Sequence, residues 1–219
     1  MRWWDESVFA VNSYEMLQNG KYFSFYFDKF PDYFNFKPPL TSWIQIVFIK
    51  LFGYNEISLR LPSAIAASLS VIVIFRFVSV KFNYIWAWLS ALILITSIGF
   101  VGFHTARTAD SDALLTFFLL VANLYFINYI LSSNKRNILL FFVFLILAFS
   151  TKSFAALFFS PAYLVVLLQK KLFKQFTINW HFISGLFLFL FFAFGFLYLR
   201  ELDTPGYIKA FLYSDASRI

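Results

Sequence analysis

The sequence predicts an all-α polytopic membrane protein, a helical bundle under a large outer-face first loop that carries interfacial helices. Three observations lead there. Hydrophobic residues make up 61% of the chain, mean hydropathy is +0.73 and only 13% of residues are charged, against about a quarter in soluble domains. Apolar runs succeed one another from residue 60 to 199. The opening 55 residues instead hold adjacent carboxylates, a lysine before two prolines and a dense run of aromatics. No polar stretch is long enough for a soluble domain, so residues 1–219 read as one membrane domain. Residues 1–55 form the outer loop, 56–199 about six spans, and 200–219 the start of a further outer segment.

Composition also excludes chemistries. Without cysteine there is no thiolate nucleophile, disulfide or cysteine zinc site. Two histidines are too few for a histidine metal cluster. A net charge of +7 would suit nucleic acid only if gathered on a solvated face, whereas these cations sit in short loops between apolar runs. The abundance of Phe, Ile, Asn and Lys suggests an AT-rich, bacterial genome.

Helical spacing over residues 7–19 puts Phe9, Ala10, Ser13, Tyr14, Met16 and Leu17 on one arc and Asn12, Glu15 and Gln18 on the other, with Asn19-Gly20 as the stop. This predicts a helix lying on the bilayer. Residues 21–36 lack a clean period and are rich in Tyr and Phe, as in an interfacial loop. The apolar run Leu40–Phe52 reaches only roughly 20 Å as a helix, short of a hydrocarbon core of roughly 30 Å. It is expected to be interfacial or re-entrant and to end at Gly53. Arg60-Leu61-Pro62 then opens the first full span, with Pro62 in its first turn. Further apolar runs cover 84–103, 113–131, 138–150, 154–168 and 181–199. The runs 138–150 and 154–168 are short enough to form one hairpin broken around Ser150-Thr151-Lys152-Ser153.

Loop charges set the orientation. Arg76 and Lys81, then Lys135 and Arg136, then Lys170, Lys171 and Lys174 share one side with no acid among them, which makes that side cytoplasmic. All eleven Asp and Glu residues fall on the other. The first loop is then outside with nothing before Met1 to carry it across. A missing first helix is therefore expected, as is a longer polypeptide beyond Ile219.

Several residues could carry chemistry. Asp5 and Glu6 are adjacent, so on a regular backbone they point in different directions, as a base and an orienting group would; a helix N-terminal cap is the alternative. Lys37 stands before the stiff Pro38-Pro39 pair, as a cation preorganised for phosphate would, or as a lysine among lipid headgroups. In 104–112, charges beside apolar spans mark a functional cluster, or a solvated loop in which Arg107 pairs with an aspartate. His104 there reads as a hydrogen-bonded interface histidine. Lys152 could meet an anionic headgroup or snorkel, and Arg60 could anchor a helix end.

The order of these pieces carries a resemblance. Trp4-Asp5-Glu6, Tyr14-Glu15-Met16-Leu17 with Gly20, Phe36-Lys37-Pro38-Pro39-Leu40 with Trp43, Leu51-Phe52-Gly53, Arg60-Leu61-Pro62-Ser63, Arg107 with Asp112, and Thr151-Lys152 together resemble GT-C-type membrane glycosyltransferases. The resemblance is to the family 39-like group that includes protein O-mannosyltransferases and the lipid A aminoarabinose transferase, and it covers nearly the whole chain. It implies a GT-C-type helical bundle in the bacterial inner membrane, its active site facing the periplasm. The implied reaction is inverting transfer of a sugar from a polyprenyl-phosphate carrier to a protein, lipid A or glycan acceptor.

By the same resemblance Asp5 is the catalytic base or acceptor-orienting group, with Glu6 and Asp112 as companion carboxylates. Lys37, Arg107 and Lys152 bind the donor phosphate, while Arg60, Asp110 and His104 are possible additions, Asp110 without a clear counterpart. Ser153 stands where the family has glycine, which puts the tightness of that turn in question. Single displacement needs a carboxylate for the acceptor proton and cations for the departing phosphate, on opposite faces of the sugar. Two cations can balance that phosphate, so no metal or other cofactor is required, with a carboxylate-bound Mg²⁺ or Mn²⁺ as the alternative. Expected partners are the lipid-linked donor, the acceptor and membrane lipids, with no nucleic acid. Two other readings compete: a transporter component, which would place ionisable groups face to face at mid-bilayer, and an inert fragment of such an enzyme.

Overall fold

The computed structural model describes residues 4–33, 35–102, 105–170 and 179–216, with the side chains of residues 4, 5 and 214–216 left out. Helix α1 (Trp4–Asn19) leads into a two-stranded hairpin, β1 (Tyr26–Phe27) and β2 (Phe30–Pro31). There follow α2 (Leu40–Phe52), α3 (Glu56–Lys81), α4 (Tyr84–Thr96), α5 (Ile98–Val101), α6 (Asp112–Ser132) and α7 (Lys135–Lys152). A 3₁₀ turn (Ser153–Leu157), α8 (Ser160–Gln169), α9 (Trp180–Asp203) and α10 (Tyr207–Ala216) complete the described chain.

Among the described residues four helical segments are long and apolar enough to cross a membrane: Glu56–Lys81, Asp112–Ser132, Lys135–Leu157 and Trp180–Asp203. The expected runs at 84–103 and 154–168 appear as the shorter helices α4 and α8. The core lies where α6, α7 and α9 meet. α6 and α7 are antiparallel, with Phe126 against Phe141 and Phe118 against Phe144. α9 runs parallel to α7, Phe182 meeting Phe142 and Phe189 meeting Phe149. α8 doubles back as the broken hairpin requires, and Tyr163 reaches Phe126, Phe141 and the Asn123 amide oxygen.

Ser153 at the break has φ +44°, a left-handed conformation that costs a non-glycine residue strain of order 1–3 kcal/mol. The turn keeps the glycine-like geometry without the glycine. At Gly185 a Cβ would stand 2.2 Å from Cδ2 of the buried Phe142 ring, so α7 and α9 touch only because that side chain is missing. Gly185→Ala should lower the unfolding free energy in detergent by about 1–3 kcal/mol through overpacking. An unchanged unfolding midpoint would show that the two helices do not pack this closely.

Two sequence expectations need correction. Pro62 does not open a first turn, because α3 starts six residues earlier at Glu56. The Asn55 side chain accepts from Ser58 N–H and the Ser58 hydroxyl from Asn55 N–H, a reciprocal cap that nucleates the helix upstream. Asn12 is not on a solvated arc of α1 but fully buried, donating to the Tyr26 carbonyl at 2.8 Å and accepting from Asn35 at 2.9 Å. The hairpin that supplies Tyr26 turns through Asp28 and Lys29, both at positive φ. Glu15 compensates by accepting the Lys29 N–H.

Candidate active site

α1 and α2 are held together by Ser13, whose hydroxyl donates to Gln45 Oε1 at 2.7 Å, while Gln45 Nε2 donates to the Ala109 carbonyl at 3.1 Å. The loop between α5 and α6 therefore rests on α2. Ser63 of α3 donates to the Asp110 carbonyl at 2.9 Å, and Ala10, Ile49, Leu59 and Ala109 form a small apolar cluster beneath.

Into this junction comes Glu6, only 2% exposed. Arg60 donates to both its oxygens, Nε to Oε1 at 2.5 Å and Nη2 to Oε2 at 2.9 Å, and Ala109 N–H donates to Oε1 at 3.1 Å. The guanidinium hydrogen bond, helped by the Ala109 N–H, holds the Glu6 carboxyl below its usual range despite the opposing cost of burial. Arg60 also pairs with Glu56 at 2.7 Å. Glu6, expected among the catalytic carboxylates, is thus a fixed anion joining α1, α3 and the 105–111 loop. Arg60 is its counter-charge rather than a lipid anchor.

Lys37 is placed differently. Its ammonium lies 4.5 Å from the centre of the Phe9 ring, within cation–π range, and has no carboxylate partner among the described side chains. Phe9 is one helical turn beyond Asp5 along α1. Asp5 belongs to α1, but its side chain lies outside the described residues, as does His104 altogether. Arg107 is exposed. Asp110 is buried, its Oδ1 accepting from Ser111 N–H at 2.7 Å, which fixes the entry to α6.

Asp112, at the start of α6, pairs with Lys152 in the last turn of α7. The expected carboxylate and the expected phosphate cation therefore hold each other, each about one-third exposed. Ring contacts bring this pair toward Lys37: Phe154, two residues after Lys152, stacks on Phe211, and Phe211 meets Phe36 at 5.6 Å.

One buried cation was not among the sequence candidates. Arg200, 1% exposed near the end of α9, donates to the carbonyls of Asn35 (2.5 Å) and Lys37 (3.0 Å). A lone arginine closing an apolar span was the available signal. These contacts place Glu6, Lys37, Arg60, the 105–111 loop, Asp112, Lys152 and Arg200 at one end of the bundle, whereas Lys81, Lys135 and Lys170 stand at the opposite ends of α3, α7 and α8. Among the described residues no group of three His, Asp or Glu side chains is placed to hold a metal.

Comparison with known proteins identifies the family and the fold. Residues 36–198 match the family model for dolichyl-phosphate-mannose-protein mannosyltransferase. Two candidate mannosyltransferases of Bacillus subtilis, YycA and YkcB, are 29% and 30% identical over 129 residues, 59% of this chain and 18% of theirs. An uncharacterized Aquifex aeolicus protein is 29% identical over 98% of this chain and 42% of its own. The structure of ArnT from Cupriavidus metallidurans bound to undecaprenyl phosphate superposes with TM-score 0.79 at 19% identity, covering 94% of this chain and 38% of that one; its apo form gives 0.73. The chain thus spans less than half the length of these relatives and shares the GT-C helical membrane fold of ArnT. It belongs to the dolichyl-phosphate-mannose-protein mannosyltransferase family.

Proposed function

We propose that the chain forms the catalytic end of an inverting glycosyltransferase, which moves a sugar from a polyprenyl-phosphate carrier to an acceptor on the periplasmic face of a bacterial inner membrane. The observation that carries this is Lys37: a cation with no carboxylate partner among the described side chains, held over Phe9 one turn from Asp5. The family's dolichyl-phosphate-mannose description and the undecaprenyl phosphate on ArnT support a lipid-phosphate donor.

In the proposed reaction Asp5 takes the proton of the acceptor, whose freed lone pair forms the new bond to the sugar's anomeric carbon. The bond from that carbon to the phosphate oxygen breaks at the same time, and polyprenyl phosphate leaves with the electron pair. Lys37 and exposed Arg107 stabilise the charge on that leaving group, as preorganised cations do where charge develops. Lys152 can add to them by exchanging Asp112 for phosphate. Glu6, with both oxygens engaged, keeps α1 and the 105–111 loop in register and leaves proton transfer to Asp5. Phe36, Phe154 and Phe211 offer flat apolar surface to sugar and lipid.

Membranes carrying the full-length polypeptide, given polyprenyl phosphates bearing different labelled sugars, should move label into a protein, lipid A or glycan fraction and release free polyprenyl phosphate. Label that stays on every carrier while a nucleotide sugar donates directly would overturn the reading.

A further inference from the structure

Arg200 is a costly residue to bury. Replacing a buried cation by an apolar side chain of similar volume is often neutral or stabilising, so packing alone gives no reason for a guanidinium here. Its contacts are specific. The ring of Tyr207 lies 4.2 Å and that of Phe25 4.9 Å from its guanidinium carbon. Its two terminal nitrogens donate to the main-chain carbonyls of Asn35 and Lys37, and Tyr207 Oη donates to the carbonyl between them, that of Phe36, at 3.2 Å. Three successive carbonyls are captured from one side. The next two residues are Pro38 and Pro39, which have no N–H to offer and restrict the residue before them. The main chain at Lys37 is therefore fixed from both directions, and what remains adjustable is its side chain over Phe9.

We propose that Arg200 is a positioning residue for donor phosphate: by holding the carbonyls on either side of Phe36 it aims the Lys37 ammonium, and it acts on the donor only through Lys37. This rests on Lys37 being a phosphate ligand, as proposed above.

A double-mutant cycle in the full-length polypeptide tests it, with donor KM, kcat and polyprenyl phosphate binding as readouts. Lys37→Ala and Arg200→Gln should each weaken polyprenyl phosphate binding and raise the donor KM about tenfold or more, and each should also lower kcat, because Lys37 meets the charge that develops on the leaving phosphate. The double variant should be no worse than Lys37→Ala alone, since coupled residues are non-additive. Arg200→Lys, which can donate to only part of this carbonyl set, should recover only part of the loss. Penalties that multiply in the double variant, or an Arg200→Gln protein with unaltered donor KM and only a lowered thermal midpoint, overturn the positioning role while leaving Lys37 as a phosphate ligand. A Lys37→Ala protein that binds polyprenyl phosphate normally overturns the reading of Lys37 itself.

Discussion

Asp5→Asn is expected to reduce sugar transfer by about 10²–10⁴-fold, the contribution of a positioned general base, with insertion and thermal stability unchanged. Asparagine keeps the shape and the helix-start position but cannot accept the acceptor's proton. Initial rates at saturating donor, on protein quantified in purified membranes, make the measurement. The donor KM should hardly move, because the proposed phosphate ligands are elsewhere. Turnover within threefold of the parent would take Asp5 out of the mechanism and leave the site without a base.

The neighbouring carboxylate should behave in the opposite way. Glu6→Gln leaves Arg60 without its bidentate anion and weakens the tie to Ala109. A loss of about 2 kcal/mol in unfolding free energy is expected, below the usual cost of breaking a buried pair, because Arg60 is one-third exposed and keeps Glu56. Activity per folded molecule should fall far less than for Asp5→Asn. The pair also sets an acid limit. Because the Glu6 carboxyl is held below its ordinary value of 4.5, its stabilisation is complete above that pH. It is lost as pH falls through the lowered value in the folded protein. Unfolding midpoints measured from pH 7 downward should drop below about pH 4.5 in the parent protein, and less steeply in Glu6→Gln; equal slopes would deny Glu6 this role.

Local signals reproduced local structure well. α2 occupies the expected Leu40–Phe52 because Pro38-Pro39 block an earlier start and Gly53, at φ +80°, accommodates the exit. The hairpin at 26–31 was hidden because its turn uses Asp28 and Lys29 instead of the Asn-Gly that announces such a turn. What makes the site is non-local. Glu6 and Arg60 stand 54 residues apart, Lys37 and Arg200 163, and neither partner's local spacing points to the other. Charge type marked Lys37, Arg60, Asp112 and Lys152 as candidates, but not that Asp112 and Lys152 would hold each other. Arg200 escaped because an arginine near the end of an apolar run reads as an interfacial anchor until its burial is known.

The charge asymmetry between the two ends of the bundle has an electrical consequence. In an energised cell the cytoplasmic side of the membrane is negative, and moving one elementary charge through 100 mV is worth about 2.3 kcal/mol. With its basic end inward, as proposed, the protein keeps Arg76, Lys81, Lys135, Arg136 and Lys170 on the favourable side of that voltage. Turning the molecule over would drive that basic end against the field, so the voltage favours the proposed orientation.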